Sequence, residues 1–376
     1  MKIIDRTILK EFIPSFFLAL FLIIFVLLVN RIFELVNLLI GKGLPFLIVL
    51  KLFLFNLPFI IFLSIPMSVL VATIMTFGRM SSDFEIIALK SLGINPFRFV
   101  FNLTFFSTIL FLITFFISDV VVPYSNHRVR QIFVQILNLR PAVSVEKGVF
   151  KKSYDNDIYF YFEDIKNDNT FSNCHIIKDK IYIKADSGYL KTIRGENRIS
   201  VFMKNGEIFE IVSDGNYKKS VFSTFVQKIK ISGDIVEGGF DVRGDREMSI
   251  RMLVESIKNV DKSFNGKKGK EYDLRRKKSI YRYLVEIHKK FSISFGVFAF
   301  ILLGGIIGIR LKKSSLALGF GISTLLFVFY YVLLVLGEQL SDNGIINPSI
   351  TIWFPNFLTL FLCLYFILKD TGIFRR

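Results

Sequence analysis

The chain has 376 residues, of which 52% are hydrophobic, and it carries a formal net charge of +17. This composition and a mean hydropathy of +0.51 exceed what a water-soluble protein of this length normally has, so a secreted soluble enzyme is excluded. The two cysteines cannot form a disulfide framework, because Cys174 lies in a polar block and Cys363 in an apolar run.

Six long apolar runs dominate the sequence. They cover residues 12–29, 52–77, 99–118, 291–309, 314–337 and 347–368. Since about 20 apolar helical residues cross a bilayer, each run is long enough to do so. The first run is too long for the core of a signal peptide and no small-residue cleavage pattern follows it, so we expect it to stay in the membrane. The sequence predicts an α-helical membrane protein with six transmembrane helices, three before and three after an inserted polar domain.

The short connections between these runs indicate the orientation of the chain. Basic residues concentrate at the amino terminus, at 79–98, at 310–313 and in the tail, whereas the other two short connections hold few. By the positive-inside rule, both termini are cytoplasmic and the large polar domain lies outside. The basic stretch 267–290 argues the other way, but long translocated domains are largely exempt from this rule.

The cytoplasmic connection 79–98 has the signals of a short helix over residues 82–92. Ser82 and Glu85, three residues apart, fit a capping box, and Gly93 followed by Pro96 predicts where the helix ends. One predicted face is apolar and consists of Phe84, Ala88 and Leu92. Taken alone, the pattern fits either a helix that lies on the membrane surface or one that docks a partner.

In the polar domain, apolar and polar residues alternate with period two, which predicts strands around 181–185, 199–203 and 228–231. Asn205-Gly206 between two such runs predicts a type I′ hairpin, because both residues accept a positive φ. The hairpin register creates one mostly apolar face, made of Ile199, Val201, Met203, Ile208 and Val212. We expect an antiparallel β-sandwich or jelly roll, whose apolar face is either an ordinary core or a ligand groove.

Two helical patterns and a basic run lead back to the membrane. Apolar residues at helical spacing predict a helix over 248–260 and a second helical segment over 281–290. Between and within them lies a polybasic segment, namely Lys267, Lys268, Lys270, Arg275, Arg276, Lys277, Lys278 and Arg282. Beside a membrane such a segment gains about 1 kcal/mol per basic residue from anionic lipid, and the alternative is a solvated linker. Nucleic acid explains the charge less well, because no nucleic-acid-binding motif accompanies it.

These patterns predict four regions. Residues 1–122 hold the first three helices, 123–262 the β domain with its linking helix, 263–290 the basic juxtamembrane segment, and 291–376 the last three helices. In the fourth span, Gly304 and Gly308 form a G-x-x-x-G step, which we expect to pack helices within the chain.

Three other protein classes lack support in the sequence. The apolar runs contain no paired carboxylates, His-Glu metal motif or Ser/His arrangement, which argues against an intramembrane enzyme and predicts neither a metal nor a cofactor. No G-x-x-x-x-G-K-[ST] loop is present, so the chain cannot supply an ATP site. A secondary transporter would show broken helices with polar sites at mid-membrane and would not need a capped cytoplasmic helix.

Five segments, in this order, are similar to those of one known family. They are the opening with Arg6, Lys10 and Glu11, and the stretches 78–93, 185–190, 286–290 and 353–356. Their order and their setting between three and three apolar runs make the match specific. The chain resembles the lipopolysaccharide-export permeases, the paired F and G membrane subunits of the Lpt system, over nearly its whole length.

The resemblance implies a permease subunit of an ABC transporter in the inner membrane, which extracts lipopolysaccharide or a related glycolipid and passes it to a periplasmic jelly-roll bridge. The implied partners are a homologous permease subunit, a cytoplasmic ABC ATPase dimer, periplasmic jelly-roll bridge proteins and the anionic glycolipid. A permease for another lipid or lipoprotein, or an ATPase-independent transporter, is the alternative. The residues leave open whether the chain is the F-type or the G-type subunit.

The resemblance also implies roles for two sets of residues already described. Helix 82–92 would be the coupling helix that sits in the ATPase, and Glu85 would pair with an ATPase arginine. The implied contact residues are Asp83, Phe84, Glu85, Ala88 and Leu92. The apolar face of the β domain, with Ile199, Val201, Met203, Ile208 and Val212, would receive the acyl chains of the lipid.

Roles at the lipid headgroup and at the gate are implied in the same way. Arg31 occupies the position of a basic residue that meets the lipid phosphates, whereas Glu34 departs from the pattern; alternatively these two residues, three apart on a helix, pair with each other. Gly319 and Gly321 lie in the fifth span, which the family places at the gate, and packing is the alternative role. Lys290 stands where an arginine is expected, so a fork-like contact would be lost.

Overall fold

The computed structural model describes residues 3–36, 44–139, 147–153, 158–166, 168–192, 199–213, 216–229, 243–264, 269–311 and 316–370. The chain divides into two compact units. The first comprises Met1–Asn30, Asn56–Ser125 and Asp245–Arg376, and the second comprises Arg31–Phe55 and Asn126–Gly244.

The parts of the chain before and after the strands are helical. In the described residues the helices are α1 (Ile3–Val36), α2 (Phe46–Ser82), α3 (Glu85–Ser91), α4 (Phe97–Phe116), α5 (Val122–Leu139), α6 (Ile250–Phe264), α7 (Lys270–Arg310), α8 (Leu316–Asp342), α9 (Pro348–Thr351) and α10 (Phe354–Asp370). A π-helical turn, Ile117–Val121, joins α4 to α5, and a 3₁₀ turn, Asp245–Glu247, precedes α6.

Six helical stretches of the described chain are long and apolar enough to cross a membrane, which confirms the prediction of six spans. The first four extend well beyond the predicted runs, and the third and fourth do so most. The third continues through α5, and the predicted segment 281–290 belongs to α7, a single helix of 41 residues and roughly 60 Å. Helix α7 begins after Gly269, and Glu271 and Asp273 in its first turn complement the helix dipole.

Buried hydroxyl groups in α2 are satisfied within the helix itself. Ser64, Ser68 and Thr73 are fully buried, and each donates to the carbonyl oxygen four residues earlier, at 2.7, 2.6 and 2.6 Å respectively. Because these groups need no water or partner helix, α2 can pack apolar neighbours along its whole buried side.

The strands form one antiparallel meander. They are β1 (Lys151–Lys152), β2 (Ile158–Ile165), β3 (Thr170–Lys178), β4 (Ile181–Thr192), β5 (Ile199–Ser213) and β6 (Asn216–Ile229). Their order in the sheet follows their order in the chain, and each pairs antiparallel with the next. This confirms an antiparallel β domain, while the meander order does not by itself identify a jelly roll.

One row of residues interrupts the alternation of side chains across the sheet. On β4, Ala185 and Gly188 are both buried although they are three residues apart, and Met203 on β5 pairs with Gly188 while Gly206 pairs with Ala185. Asn205, between the two inward positions of β5, has a φ of 51°. The pairing register between the strands is the same on both sides of this point. The strands therefore change together which of their faces is buried, and both ends of the sheet line a common core. That core consists of Ile158, Phe160, Phe162, Phe171, Cys174, Ile176, Ile183, Ala185, Leu190, Ile199, Val201, Met203 and Ile229.

The hairpin predicted at Asn205-Gly206 is wrong. Strand β5 continues through this point and is paired on both sides, since Gly206 lies opposite Ala185 of β4 and Phe222 of β6. Met203 and Ile208 therefore follow each other on one strand instead of facing across a turn. A type I′ turn needs a positive φ at two successive residues, and Gly206 does not adopt one. Asn205 produces a local irregularity in the strand and not a reversal.

Gly188 and Gly206 leave room for aromatic rings on neighbouring strands. A methyl group at Gly188 would lie 2.1 Å from the carbonyl oxygen of Phe202 and 2.4 Å from the ring of Phe171. At Gly206 it would lie 2.3 Å from the carbonyl oxygen of Lys184 and 2.5 Å from the ring of Phe222. Both glycines are therefore required for close packing across the strands.

We expect Gly188→Ala and Gly206→Ala each to destabilise the β domain by about 1–3 kcal/mol, because the added methyl overpacks the core. Circular dichroism of the detergent-solubilised chain during heating should show the loss of β signal at a lower temperature. Ser187→Ala is the matched control, since Ser187 is exposed on the same strand. Equal melting of all three variants and the unmodified chain would show that the glycines are not tightly packed.

Candidate functional site

The turn between α2 and α4 presents a short helix, α3, on a sharply bent backbone. Helix α2 runs through Ser82, and the N–H groups of Asp83 and Phe84 donate to the carbonyl oxygens of Arg79 and Ser81 at 2.9 and 3.3 Å. Phe84 then adopts a φ of 60°, in the left-handed region, and α3 begins at Glu85. This conformation is uncommon for a bulky residue and marks the point where the chain changes direction.

The predicted capping box is wrong. Ser82 is the last residue of α2, and its hydroxyl donates to the carbonyl oxygen of Gly78 at 3.0 Å. Glu85 is the first residue of α3 and not its third, and the residue before it, Phe84, has no side-chain cap. The carboxylate of Glu85 nevertheless lies in the first turn of α3, where the helix dipole favours a negative charge.

The end of α3 agrees with the sequence prediction. Gly93 has a φ of 75°, its N–H donates to the carbonyl oxygen of Lys90 at 3.0 Å, and the N–H of Ile94 donates to that of Leu89 at 2.9 Å. These two bonds form a Schellman motif, which requires the left-handed conformation that glycine accepts readily. The helix is thereby limited to seven residues.

The two sides of α3 differ in burial. Ile86 and Leu89 are buried in the core of the helical unit and hold α3 in place. Phe84 and Leu92 are 69% and 75% exposed, and Ile87, which the sequence interpretation did not single out, is also exposed. Exposed large apolar side chains clustered on one short turn are typical of a surface that contacts a partner.

Helix α3 also borders a cleft against the first turns of α1. The cleft has a volume of about 240 Å³ and is lined by Ile4, Thr7, Ile8, Glu11, Met80, Glu85, Ala88, Leu89 and Leu92. Three of the five predicted contact residues, Glu85, Ala88 and Leu92, thus lie together. Asp83 does not line this cleft, and its Oδ2 lies 3.6 Å from Nε of Arg79. The cleft has apolar walls and two carboxylates, so it suits an apolar side chain that is accompanied by a cation.

Arg31 and Glu34, the two residues predicted at the headgroup site, form an ion pair with each other. Nη1 of Arg31 lies 2.6 Å from Oε2 of Glu34, and both side chains are exposed. This geometry matches the alternative of an i,i+3 pair on α1. An exposed pair of this kind is worth roughly 0–1 kcal/mol in water, so an anion could replace Glu34 as the partner of Arg31.

The glycines of α7 and α8 have different surroundings. A methyl group at Gly304 would lie 2.9 Å from Cβ of Thr73, and one at Gly308 would lie 2.8 Å from Cβ of Phe77. The G-x-x-x-G step thus packs α7 against α2 within the chain, as predicted. Gly319 is buried and faces Met75 of α2, whereas Gly321 is exposed and no atom of the described residues lies within 4 Å of its added methyl.

The residues predicted to receive acyl chains belong to the core of the β domain. Ile199, Val201 and Met203 are buried there, and Ile208 is partly buried against the same core. Val212 is in β5, but its side chain lies outside the described residues. In this structure the apolar face is covered by the other strands of the folded sheet, so an acyl chain would have to displace that packing.

An ion pair that the sequence interpretation missed ties α6 to α7. Oδ1 of Asp119, in the π-helical turn, accepts from Nζ of Lys290 at 2.9 Å and from the backbone N–H of Ile250 at 2.7 Å. Lys290 also donates to the carbonyl oxygen of Met248 at 2.7 Å. The side chains of Lys290 and Asp119 are only 8% and 24% exposed. Asp119 thus caps the first turn of α6 from a distant part of the chain.

A second ionic cluster joins the 3₁₀ turn, α7 and α8. Nη2 of Arg246 lies 3.0 Å from Oε1 of Glu338, and its Nε lies 3.5 Å from Oε1 of Glu286. Nζ of Lys289 lies 2.8 Å from Oε1 of Glu286 and 2.9 Å from Oε1 of Glu338. The sequence offered no signal for this cluster, because its members are separated by up to 92 residues.

The described part of the polybasic segment is helical and partly neutralised. Arg275 pairs with Glu271 at 2.6 Å, Arg276 with Asp261 at 2.8 Å, and Arg282 with Asp245 at 3.1 Å. Lys267 and Lys268 lie outside the described residues. These pairs reduce the charge that remains for anionic lipid.

Comparison with known proteins gives one result that spans nearly the whole chain. The model of the family described as lipopolysaccharide export system permease LptF/LptG matches residues 6–369. No curated protein matches the sequence.

Proposed function

Because the chain belongs to the LptF/LptG family of lipopolysaccharide export permeases, we propose that it is one membrane half of an ABC transporter that moves the lipid towards the outer membrane. Membership and six apolar helices make it a multi-pass inner-membrane permease subunit and not an enzyme. The proposed partners are a homologous permease subunit, a cytoplasmic ATPase dimer and periplasmic bridge proteins.

The proposed contact with the ATPase is the surface around α3. Support comes from the exposed apolar side chains of Phe84, Ile87 and Leu92, which would be costly to leave in water. Glu85 and Glu11 line the neighbouring cleft, and Oε2 of Glu11 is buried without a hydrogen-bond partner in the described part of the chain. A basic side chain of the ATPase would therefore be favoured at this cleft.

Anchoring of α3 is what makes this surface suitable for transmitting a movement. Ile86 and Leu89 fix α3 to the core that contains α1, α2, α4 and α7, so a push on α3 is carried directly to these helices. A contact helix attached by a flexible linker would move by itself and would not displace the other helices. In this proposal both termini and α3 are cytoplasmic.

The β domain is proposed to lie in the periplasm and to act as the family's jelly roll. Its core would shelter the acyl chains, which is energetically important because each buried methylene is worth about 0.8 kcal/mol. Ile199, Val201 and Met203 lie in that core. Since they are already covered in this structure, lipid entry would require the two ends of the folded sheet to separate.

Arg31 and the α8 glycines have narrower proposed roles. Arg31 would exchange Glu34 for a lipid phosphate, since the observed pair is exposed. Gly321 is proposed to face the partner subunit at the gate, because nothing in the described chain fills the space beside it. Gly319 would act in packing against α2.

Photo-crosslinking of labelled lipopolysaccharide tests the lipid route. A photoreactive residue at Met203 should form an ATP-dependent adduct with the lipid when the ATPase and partner permease are present, because Met203 lies in the core. The same residue at Lys191, which is exposed on β4, is the control and should give little adduct. Adducts of equal yield at both positions, or none at Met203 during ATP turnover, would contradict the proposed route.

A further inference from the structure

Aromatic rings form a continuous row across the face of the sheet opposite to its core. Neighbouring rings are 4.8, 5.7, 5.9, 5.9 and 6.2 Å apart between centroids. The row consists, in order, of Phe150, Tyr161, His175, Tyr182, Phe209 and Tyr217. It reaches from the segment before β1 to β6 and so crosses the whole sheet.

The outward face of an antiparallel sheet is usually polar, whereas this one carries an unbroken row of rings among its polar side chains. Phe150 and Tyr217 at the two ends of the row are 58% and 68% exposed, and Tyr161, His175, Tyr182 and Phe209 are partly exposed. Cross-strand aromatic pairs stabilise a sheet, but that role needs only buried or paired rings and not a row that continues to both exposed edges. A partly exposed row of rings that runs from one edge of the sheet to the other indicates a ligand or partner.

Polar groups accompany the rings. Nδ1 of His175 lies 2.7 Å from the hydroxyl oxygen of Tyr182, and burial together with the charge of Lys184 lowers the pKa of His175. Nζ of Lys219 lies 5.5 Å from the centroid of Phe209 and 2.8 Å from Oε1 of Glu207. The row thus combines flat apolar surfaces with hydroxyl, imidazole and ammonium groups along its sides.

We infer that this aromatic row binds the saccharide part of the transported glycolipid. A sugar ring has an apolar face of C–H groups and a rim of hydroxyls, so it can stack on an aromatic ring while it hydrogen-bonds to polar neighbours. Lys184, whose charge acts on His175, complements the negative charge of a phosphorylated saccharide, and Lys219 would do so by exchanging Glu207 for a phosphate. The inference rests on the proposed function, because acyl chains held in the core would leave the saccharide at the outer surface of the same domain.

The test uses the full-length chain in detergent and a soluble probe, the lipid-free phosphorylated core oligosaccharide of lipopolysaccharide. The test variant is Tyr182→Leu with Phe209→Leu, which keeps apolar bulk on the sheet but removes two adjacent rings. The control is Tyr189→Leu with Phe202→Leu, which removes another stacked pair, 4.7 Å apart, that does not belong to the row. Titration calorimetry should show binding that the test variant weakens by about tenfold and the control by less than about twofold.

The single substitution Tyr217→Ala provides a second test if the double variant does not fold. Tyr217 is exposed on β6, so its removal should not disturb the core and should still weaken binding. Absence of probe binding by the unmodified chain, or equal binding by all variants, would overturn the inference and leave the row as a structural feature or a protein contact. Lipid crosslinking at Met203, measured in parallel, distinguishes the two failures: its loss would overturn the proposed function, whereas its persistence would confine the failure to the saccharide site.

Discussion

Glu85→Arg is expected to release the ATPase subunit from the chain, with an affinity loss of about 100-fold. The substitution places a cation in a cleft that is proposed to receive one, next to apolar walls that exclude water and strengthen the repulsion. Because Glu85 is exposed and belongs to a helix held by Ile86 and Leu89, the chain should still fold. Copurification of the ATPase with the tagged chain at fixed detergent and salt concentrations measures the effect.

Glu271→Arg is the matched control for this prediction. Glu271 is a carboxylate in the first turn of α7, exposed and paired with Arg275, and it is not part of the cleft. Its reversal should change copurification by less than about twofold, since exposed pairs contribute little. If Glu85→Arg retains the ATPase and supports transport as well as the control does, α3 is not the coupling helix.

Lys290→Met is expected to destabilise the helical unit by about 3–5 kcal/mol, because it leaves the largely buried carboxylate of Asp119 without a cation. The substitution should also remove a contact outside the Asp119–Lys290 pair. Lys290 also donates to the carbonyl oxygen of Met248, so the segment just before α6 would lose this bond, while the bond from the N–H of Ile250 to Asp119 would remain. Thermal unfolding of the detergent-solubilised chain measures the effect.

The double variant Asp119→Asn with Lys290→Met separates charge from shape. It removes both charges, keeps the side-chain sizes similar and should recover a large part of the lost stability. Arg275→Met, which breaks an exposed pair one turn from the start of α7, should cost less than about 1 kcal/mol. If Lys290→Met melts like Arg275→Met, then the Asp119 pair is solvated and does not anchor α6.

Local pattern was sufficient for much of the architecture. The six spans follow from runs of apolar residues that are long enough to cross a bilayer, and the strands from alternation with period two. Gly93 was predicted as the end of α3 because few residues adopt the left-handed conformation of a Schellman motif. In each case the deciding interactions lie within one helical turn or between neighbours along the chain.

Asn205-Gly206 shows where local pattern was not sufficient. Its sequence suits a hairpin turn, yet β4 and β6 pair with β5 on both sides of this point and keep the strand straight enough to continue. The positive φ of Asn205 then contributes to the row across which the sheet shifts its inward face. Interactions with two neighbouring strands outweighed the local turn preference, and no short window of sequence contains them.

The sequence by itself determined six apolar spans and an inserted β domain, since burial of apolar helices in lipid and strand alternation are properties of short segments, and it was the ordered family motifs that indicated a permease. Tertiary structure alone decided which side of α3 is exposed, that Asp119 pairs with Lys290 across 171 residues, and that six aromatic rings from β2 to β6 and from the segment before β1 meet in one row. These features depend on contacts between residues far apart in the chain, whose free energies appear only after the elements have packed.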